Sequence, residues 1–112
     1  MAALRIPSEP REHDIQKAIL DYLRTVHGKH GWWWNNKLGA AARGVKHRNT
    51  TYTGSADIIG VYYGRHMEFE IKARRGVQSD DQKKHQERIE KAGGRYYLVR
   101  SVDEVQKIMG AI

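Results

Sequence analysis

The chain has 112 residues, a formal charge of +7 from 20 Lys and Arg against 13 Asp and Glu, 39% hydrophobic residues and no cysteine. That length holds one domain around one core, and the positive balance favours a polyanionic partner such as nucleic acid. The lack of cysteine excludes disulfides, thiolate zinc sites and a Cys nucleophile. Six histidines are scattered without metal-ligand spacing. No apolar run has the length of a signal peptide core or a membrane span, so an intracellular protein with no membrane partner is expected.

Residues 1–7 read as a loose lead-in. Ser8 is a candidate N-cap, with Pro10 tolerated in the first helical turn. Ile15, Ala18, Ile19, Tyr22, Leu23 and Val26 then recur at helical spacing and predict an amphipathic helix that Gly28 ends. Glu12 falls on the inward stripe of this helix, with Gln16 near it. A carboxylate in the first turn complements the helix dipole, but one on the core side is also placed to serve a site.

Residues 31–36, GWWWNN, predict a strand in which Trp33 faces opposite to Trp32 and Trp34. Core packing accounts for part of that run; a dimer contact and base stacking are the other readings. Residues 37–53 have no usable period and carry Lys37, Arg43, Lys46, His47 and Arg48, the composition of a basic loop that contacts phosphates.

The stretch from 54 to 73, GSADIIGVYYGRHMEFEIKA, predicts two strands, 57–63 and 66–73, joined by a turn at Gly64 and Arg65. In the second strand Met67, Phe69 and Ile71 point one way and Glu68, Glu70 and Lys72 the other. Asp57 at the mouth of the first strand then sits beside Glu70 and Lys72 of the next. Two carboxylates and an ammonium at a sheet edge can bind Mg²⁺ and handle a phosphate. Arg74 and Arg75 follow and add to the basic surface. Ser79 with Gln82 forms a capping box for a helix reaching about Ala92, whose least charged stripe is Gln82, His85, Ile89 and Ala92. Residues 95–100 predict a further strand. Ser101 and Glu104 form a second box, opening a helix that buries Val102, Val105, Ile108, Met109 and Ile112. The order αβββαβα predicts an α/β fold, a mixed four-stranded sheet flanked by helices in a single domain over 1–112.

Asp57 followed by Glu70-Ile71-Lys72 on the next strand, in this order of elements, resembles the PD-(D/E)xK restriction-endonuclease-like core. EHDIQ at 12–16, GSAD at 54–57, EIK at 70–72, SDDQ at 79–82 and GG at 93–94 together resemble the VRR-NUC family, in its small stand-alone form of phages and bacteria. The resemblance spans nearly the whole chain. It departs at 55–57, where Ser-Ala-Asp lacks the proline often found before that Asp. It departs again at His85 and Gln86, which stand where a bulky apolar residue is expected.

The resemblance implies a Mg²⁺- or Mn²⁺-dependent DNA endonuclease working as a homodimer on branched or Holliday-junction DNA. Asp57 and Glu70 are then metal ligands, with the Ile71 carbonyl as a third oxygen and Glu12 holding an ion through water or a second ion. Lys72 stabilises the phosphorane-like charge, orients the attacking water or acts as base, and Gln82 steadies that water or the Lys72 head. Glu68 shares the face of Glu70 and is its rival as ligand, although the spacing to Lys72 favours Glu70. The alternative function is a non-catalytic nucleic-acid-binding module on the same fold, for which the basic loop and the net charge would suffice.

Overall fold

The computed structural model describes residues 11–36 and 54–112. Ser8, Pro10, Lys37, Arg43, Lys46, His47 and Arg48 lie outside these described residues. The elements run α1 (Glu12–Val26), β1 (Gly31–Asn35), β2 (Ile58–Tyr62), β3 (Arg65–Ile71), α2 (Asp80–Lys91), β4 (Arg95–Val99) and α3 (Val102–Gly110). This is the expected αβββαβα order, as a mixed α/β sheet flanked by helices.

Alternation in β3 drives the architecture. Met67, Phe69 and Ile71 are each 1% exposed or less, and their face joins Ile19 and Leu23 of α1, Trp33 of β1, and Val105 and Met109 of α3 in one core cluster. The four strands lie side by side in the order β1-β2-β3-β4. β1–β2 and β2–β3 are antiparallel, whereas β3–β4 is parallel. A parallel pair cannot be joined by a tight turn, and α2 supplies the crossover. The β2–β3 hairpin closes through Tyr63 and Gly64, both at positive φ (50° and 78°). This mirror-image turn matches the strand twist, so the turn lies one residue earlier than Gly64 and Arg65.

Trp33 points inward as its alternation requires, at 1% exposed, while Trp32 is 74% exposed. The Trp33 indole N–H donates to the His27 carbonyl at 3.1 Å. Its ring lies directly over Gly60, its cross-strand partner, where any Cβ would meet the ring at 2.2 Å.

Four local expectations are revised. The helix α1 opens from Arg11, in extended conformation and without a side-chain cap, rather than from Ser8. Val26 is 57% exposed in its last turn, and Leu20 packs on the core's margin instead. At α3, Ser101 Oγ accepts from the Glu104 amide at 3.2 Å, but Glu104 Oε2 reaches back to the Arg100 amide at 2.9 Å, one residue before the cap. The Ser101–Glu104 box is therefore half formed, and Ile112, expected in the buried stripe, is 57% exposed. No helix among the described residues is long and apolar enough to cross a membrane.

Candidate active site

The second face of β3 carries Glu68, Glu70 and, just past its end, Lys72. Two acids on a strand invite a solvated face, yet Glu68 is 2% and Glu70 is 3% exposed. The helix α2 lies across them. Its start is fixed by a complete capping box: Ser79 Oγ accepts from the Gln82 amide at 3.1 Å, and Gln82 Oε1 accepts from the Ser79 amide at 2.9 Å. The segment 54–57 packs against that start. Gly54 has φ +86°, and a Cβ there would meet the Asp81 carbonyl oxygen at 2.2 Å, so only glycine satisfies both the turn and the contact. The loop thus descends under α2 and delivers Asp57 to the head of β2.

Asp57 Oδ2 accepts from the Ile71 amide at 2.9 Å, which places this carboxylate at the end of β3. The Lys72 amide donates to the Val99 carbonyl on the other side, at 3.1 Å. The N–H and C=O of one strand residue point to the same side, and neighbouring residues to opposite sides. The Ile71 carbonyl therefore lies on the β2 side, on the edge that Asp57 occupies. Lys72 Nζ sits 3.2 Å from Glu70 Oε2, with the lysine side chain 19% exposed. Glu12, exposed in the first turn of α1, accepts from the Ala73 amide at 2.9 Å. Arg100 Nη1 donates to the carbonyl of the same Ala73 at 2.6 Å. The peptides on either side of Ala73 are thus both held.

The structure therefore brings Asp57, Glu70, Ile71, Lys72 and Glu12 to one end of the sheet. Gln82 lies at the start of the covering helix, 7% exposed, its side-chain oxygen taken by the cap and its amide nitrogen carrying the donor protons. Arg74 and Arg75 are exposed just beyond Lys72. A cleft of about 590 Å³ beside them is lined by Arg74 and Arg100, by Asp14 and Glu104, and by apolar Ile15, Ala18 and Val102. A larger cleft of about 650 Å³ opens at the opposite end of the sheet, beside Arg65 and Arg95, away from these carboxylates.

Glu68 has a different environment from Glu70. Its Oε1 accepts from the Ala56 amide at 3.1 Å and from His85 Nε2 at 2.9 Å. Its Oε2 accepts from His66 Nε2 at 2.6 Å. Burial alone would push the carboxyl up, but the bonds from His66, Ala56 and His85, with the charge of His85, outweigh it and hold Glu68 below the usual carboxylate range. Both oxygens of the ionised group are occupied, which leaves Glu70 as the acid facing Lys72.

Tyr96 joins this polar layer beside Glu68, its partner in register. Its phenol is pushed well above the usual range, first by burial and then by the Glu70 and Glu68 carboxylates and, more weakly, by Asp57, against a hydrogen bond with Gln78. It remains an O–H, and it donates to the Gly54 carbonyl at 3.4 Å. Asn36 completes the support: Nδ2 donates to Ser55 Oγ at 2.8 Å and to the Ala56 carbonyl at 3.1 Å, and its backbone N–H to the Asp57 carbonyl at 2.8 Å. Tyr96 and Asn36 were not among the expected site residues. Period-two alternation puts Tyr96 on the face of Leu98, but its proximity to the carboxylates depends on the parallel β3–β4 register, which has no local sequence signal.

The donors assembled at the strand end are hard oxygens: the Asp57 and Glu70 carboxylates and the Ile71 carbonyl. They suit Mg²⁺ or Mn²⁺, which are held by one or two carboxylates with the remaining positions left to water and phosphate. Among the described residues, no group of three or more His, Asp or Glu side chains forms a protein-only metal cage.

No family model and no curated protein matches the sequence. Solved structures do match the fold. One described as a VRR_NUC domain protein has a TM-score of 0.63 and 15% identity, covering 94% of this chain and 89% of its own. Another, described as a VRR_NUC domain, has a TM-score of 0.59 and 16% identity, covering 85% of this chain and 94% of its own. The chain adopts the VRR-NUC domain fold, the one that its segments at 54–57, 70–72 and 79–82 resemble.

Proposed function

We propose that this chain is a Mg²⁺- or Mn²⁺-dependent endonuclease that hydrolyses DNA phosphodiesters. The observation that carries the proposal is the meeting of Asp57, anchored on the Ile71 amide, with the Glu70–Lys72 pair at the open end of β3. The shared fold supports it, as does a net charge of +7 suited to a polyanion.

Asp57, Glu70 and the Ile71 carbonyl would hold the ion, with Glu12 reaching it through water. When bound, the metal would lower the pKa of a coordinated water and offset the negative charge that repels hydroxide from a phosphodiester. The other roles belong to the chain. Lys72 directs its ammonium at the phosphate oxygens as charge builds on them, and Glu70, at 3.2 Å, keeps that head from swinging into solvent. The Gln82 amide nitrogen is a donor for the incoming water. Glu12 and Arg100 grip the backbone N–H and C=O of Ala73 and so fix the direction in which the chain leaves Lys72. Arg74 and Arg75 contact flanking phosphates.

The substrate we infer is branched DNA, including four-way junctions, cut by a homodimer. Two sites related by a two-fold axis would face two strands of equivalent geometry. The test is cleavage of a four-way junction beside a matched linear duplex, in Mg²⁺, Mn²⁺, Ca²⁺ and EDTA, for wild type and Lys72→Ala. Junction-selective products in Mg²⁺ or Mn²⁺, lost in EDTA and in the variant, are expected. Equal cutting of the duplex would remove the junction preference alone. Binding without products in every condition would replace the enzyme with a nucleic-acid-binding module.

A further inference from the structure

The segment that delivers Asp57 lies just ahead of the β1–β2 ladder and is joined to it at its last residue, where the Asn36 N–H donates to the Asp57 carbonyl at 2.8 Å. Ser55 and Ala56 are buried at 4% and 0% exposure, yet 54–57 belongs to neither helix nor strand. Its buried peptide groups must find side-chain partners. The Ala56 amide, one residue before Asp57, donates to Glu68 Oε1 at 3.1 Å. Glu68 is in turn gripped by His85 Nε2, at 2.9 Å from Oε1 and 3.1 Å from Oε2. His85 is 5% exposed on α2, one turn after Gln82. A polar pair this deep is costly to bury, and neither member reaches the strand end where Asp57 meets Ile71.

We propose that the buried Glu68–His85 pair is a positioning device for Asp57. His85 fixes the Glu68 carboxylate, Glu68 fixes the 55–56 peptide through the Ala56 N–H, and this hold, with Asn36 Nδ2 on the Ala56 carbonyl, sets the direction in which the Asp57 side chain leaves the loop. The same chain of contacts ties the covering helix to the metal-facing loop. Gln82 and Asp57 then keep their relative places through His85, Glu68 and Ala56, in addition to the contact of Gly54 with Asp81. His66 caps the outer oxygen of Glu68 from a 41% exposed position and completes its coordination without reaching the loop. The inference rests on the proposed metal role of Asp57. It explains why His85 stands where an apolar residue is expected: an apolar side chain would cover Glu68 without holding it.

The test is Mn²⁺ affinity by titration calorimetry without DNA, for wild type, His85→Phe and His85→Gln, each at a temperature where its circular dichroism shows it folded. Groups that orient metal ligands typically contribute 10–100-fold in affinity. His85→Phe is expected to weaken Mn²⁺ binding by about 10-fold or more, and His85→Gln, which keeps an N–H donor, to recover most of that loss. A merely structural His85 would lower the thermal midpoint and leave the Mn²⁺ affinity of the folded protein unmoved; that result overturns the inference and spares the metal site. Wild type that binds no Mn²⁺ overturns the metal role of Asp57 and the inference with it. If His85→Phe does not fold, amide exchange in wild type decides. The Ala56 N–H is expected to be protected although it lies outside every strand, and rapid exchange there overturns the clamp.

Discussion

Glu68 and Glu70 share one strand, one face and near-equal burial, and they differ in what surrounds them. Glu68 serves a loop amide and two imidazoles, whereas Glu70 faces Lys72 at the strand end. Substitution should separate them. Glu70→Gln is expected to lose cleavage of junction DNA by 100-fold or more, on the order of one charged transition-state contact, with little change in thermal midpoint. Glu68→Ala is expected to cost about 2–4 kcal/mol of stability, because the Ala56 amide and His85 lose their shared acceptor inside the protein. Urea denaturation of the two variants beside the cleavage assay checks both. Full cleavage by Glu70→Gln would transfer the ligand role away from it.

The same residue gives a pH dependence of definite sign. The Glu68 carboxyl is held below its ordinary 4.5 in the folded protein. Below that value the unfolded chain takes up the proton first, so stability rises with pH through the window. The contribution is fully present above the unfolded value and is lost as pH falls through the lower, folded one. Thermal midpoints measured from about pH 6 to about pH 3 should therefore fall more steeply for wild type than for Glu68→Gln. Parallel slopes would mean that Glu68 does not carry this dependence.

At the scale of elements, the organising contact is the start of α2 on the segment 54–57. Gly54→Ala would put a Cβ at 2.2 Å from a backbone oxygen and force a positive φ on a residue that resists it. The helix start cannot retreat cheaply, because Ser79 and Gln82 fix it. Gly54→Ala is expected to destabilise by more than the roughly 1 kcal/mol of an ordinary positive-φ replacement, and to reduce cleavage beyond the loss in folded fraction. Ser79→Ala, which loses one cap, should cost about 1 kcal/mol and leave the loop in place. Comparable effects of the two variants in chemical denaturation would rule out the packed contact as the larger constraint.

These elements also divide what a sequence can disclose from what it cannot. Helices and strands follow from period and cap: Ser79 with Gln82, and the alternation of Met67, Phe69 and Ile71, are local signals that tertiary packing here reinforces. The meeting of Asp57 with Glu70 and Lys72 was legible because an antiparallel hairpin fixes its own register. The covering of Glu68 was not legible. A strand reading EFEIK has the pattern of a half-solvated sheet, and only the crossover of α2, settled by the parallel β3–β4 pairing, turns that face inward. His85 and Tyr96 acquire their partners through the same long-range step. Glu104 shows the limit of a motif within reach of one turn, since its carboxylate satisfies the Arg100 amide instead of the cap.

Over the whole molecule, charge and shape assign different tasks to different surfaces. The net charge of +7 attracts any nucleic acid, and its effect on affinity is independent of sequence and branching. Selectivity must come from where the phosphates are gripped. Arg74 and Arg75 leave the strand end directly after Lys72 and stand exposed there, and under the proposed function they are the expected contacts for the scissile strand. A phosphate contact weakens binding alike for all sequences and reduces the salt slope by about one when removed. The measurement is fluorescence anisotropy of labelled four-way junction and linear duplex with Lys72→Ala protein, in Ca²⁺, across a series of salt concentrations. Affinity is expected to fall by at least about tenfold between roughly 50 and 200 mM salt for both DNAs. Adding Arg74→Ala and Arg75→Ala should lower the slope of log affinity against log salt by about 2, with the ratio of junction to duplex affinity shifted if these two residues follow the branch. An unchanged slope would place the scissile strand on another side of Lys72, and the 590 Å³ cleft beside Arg74 would then lie off the path of the DNA.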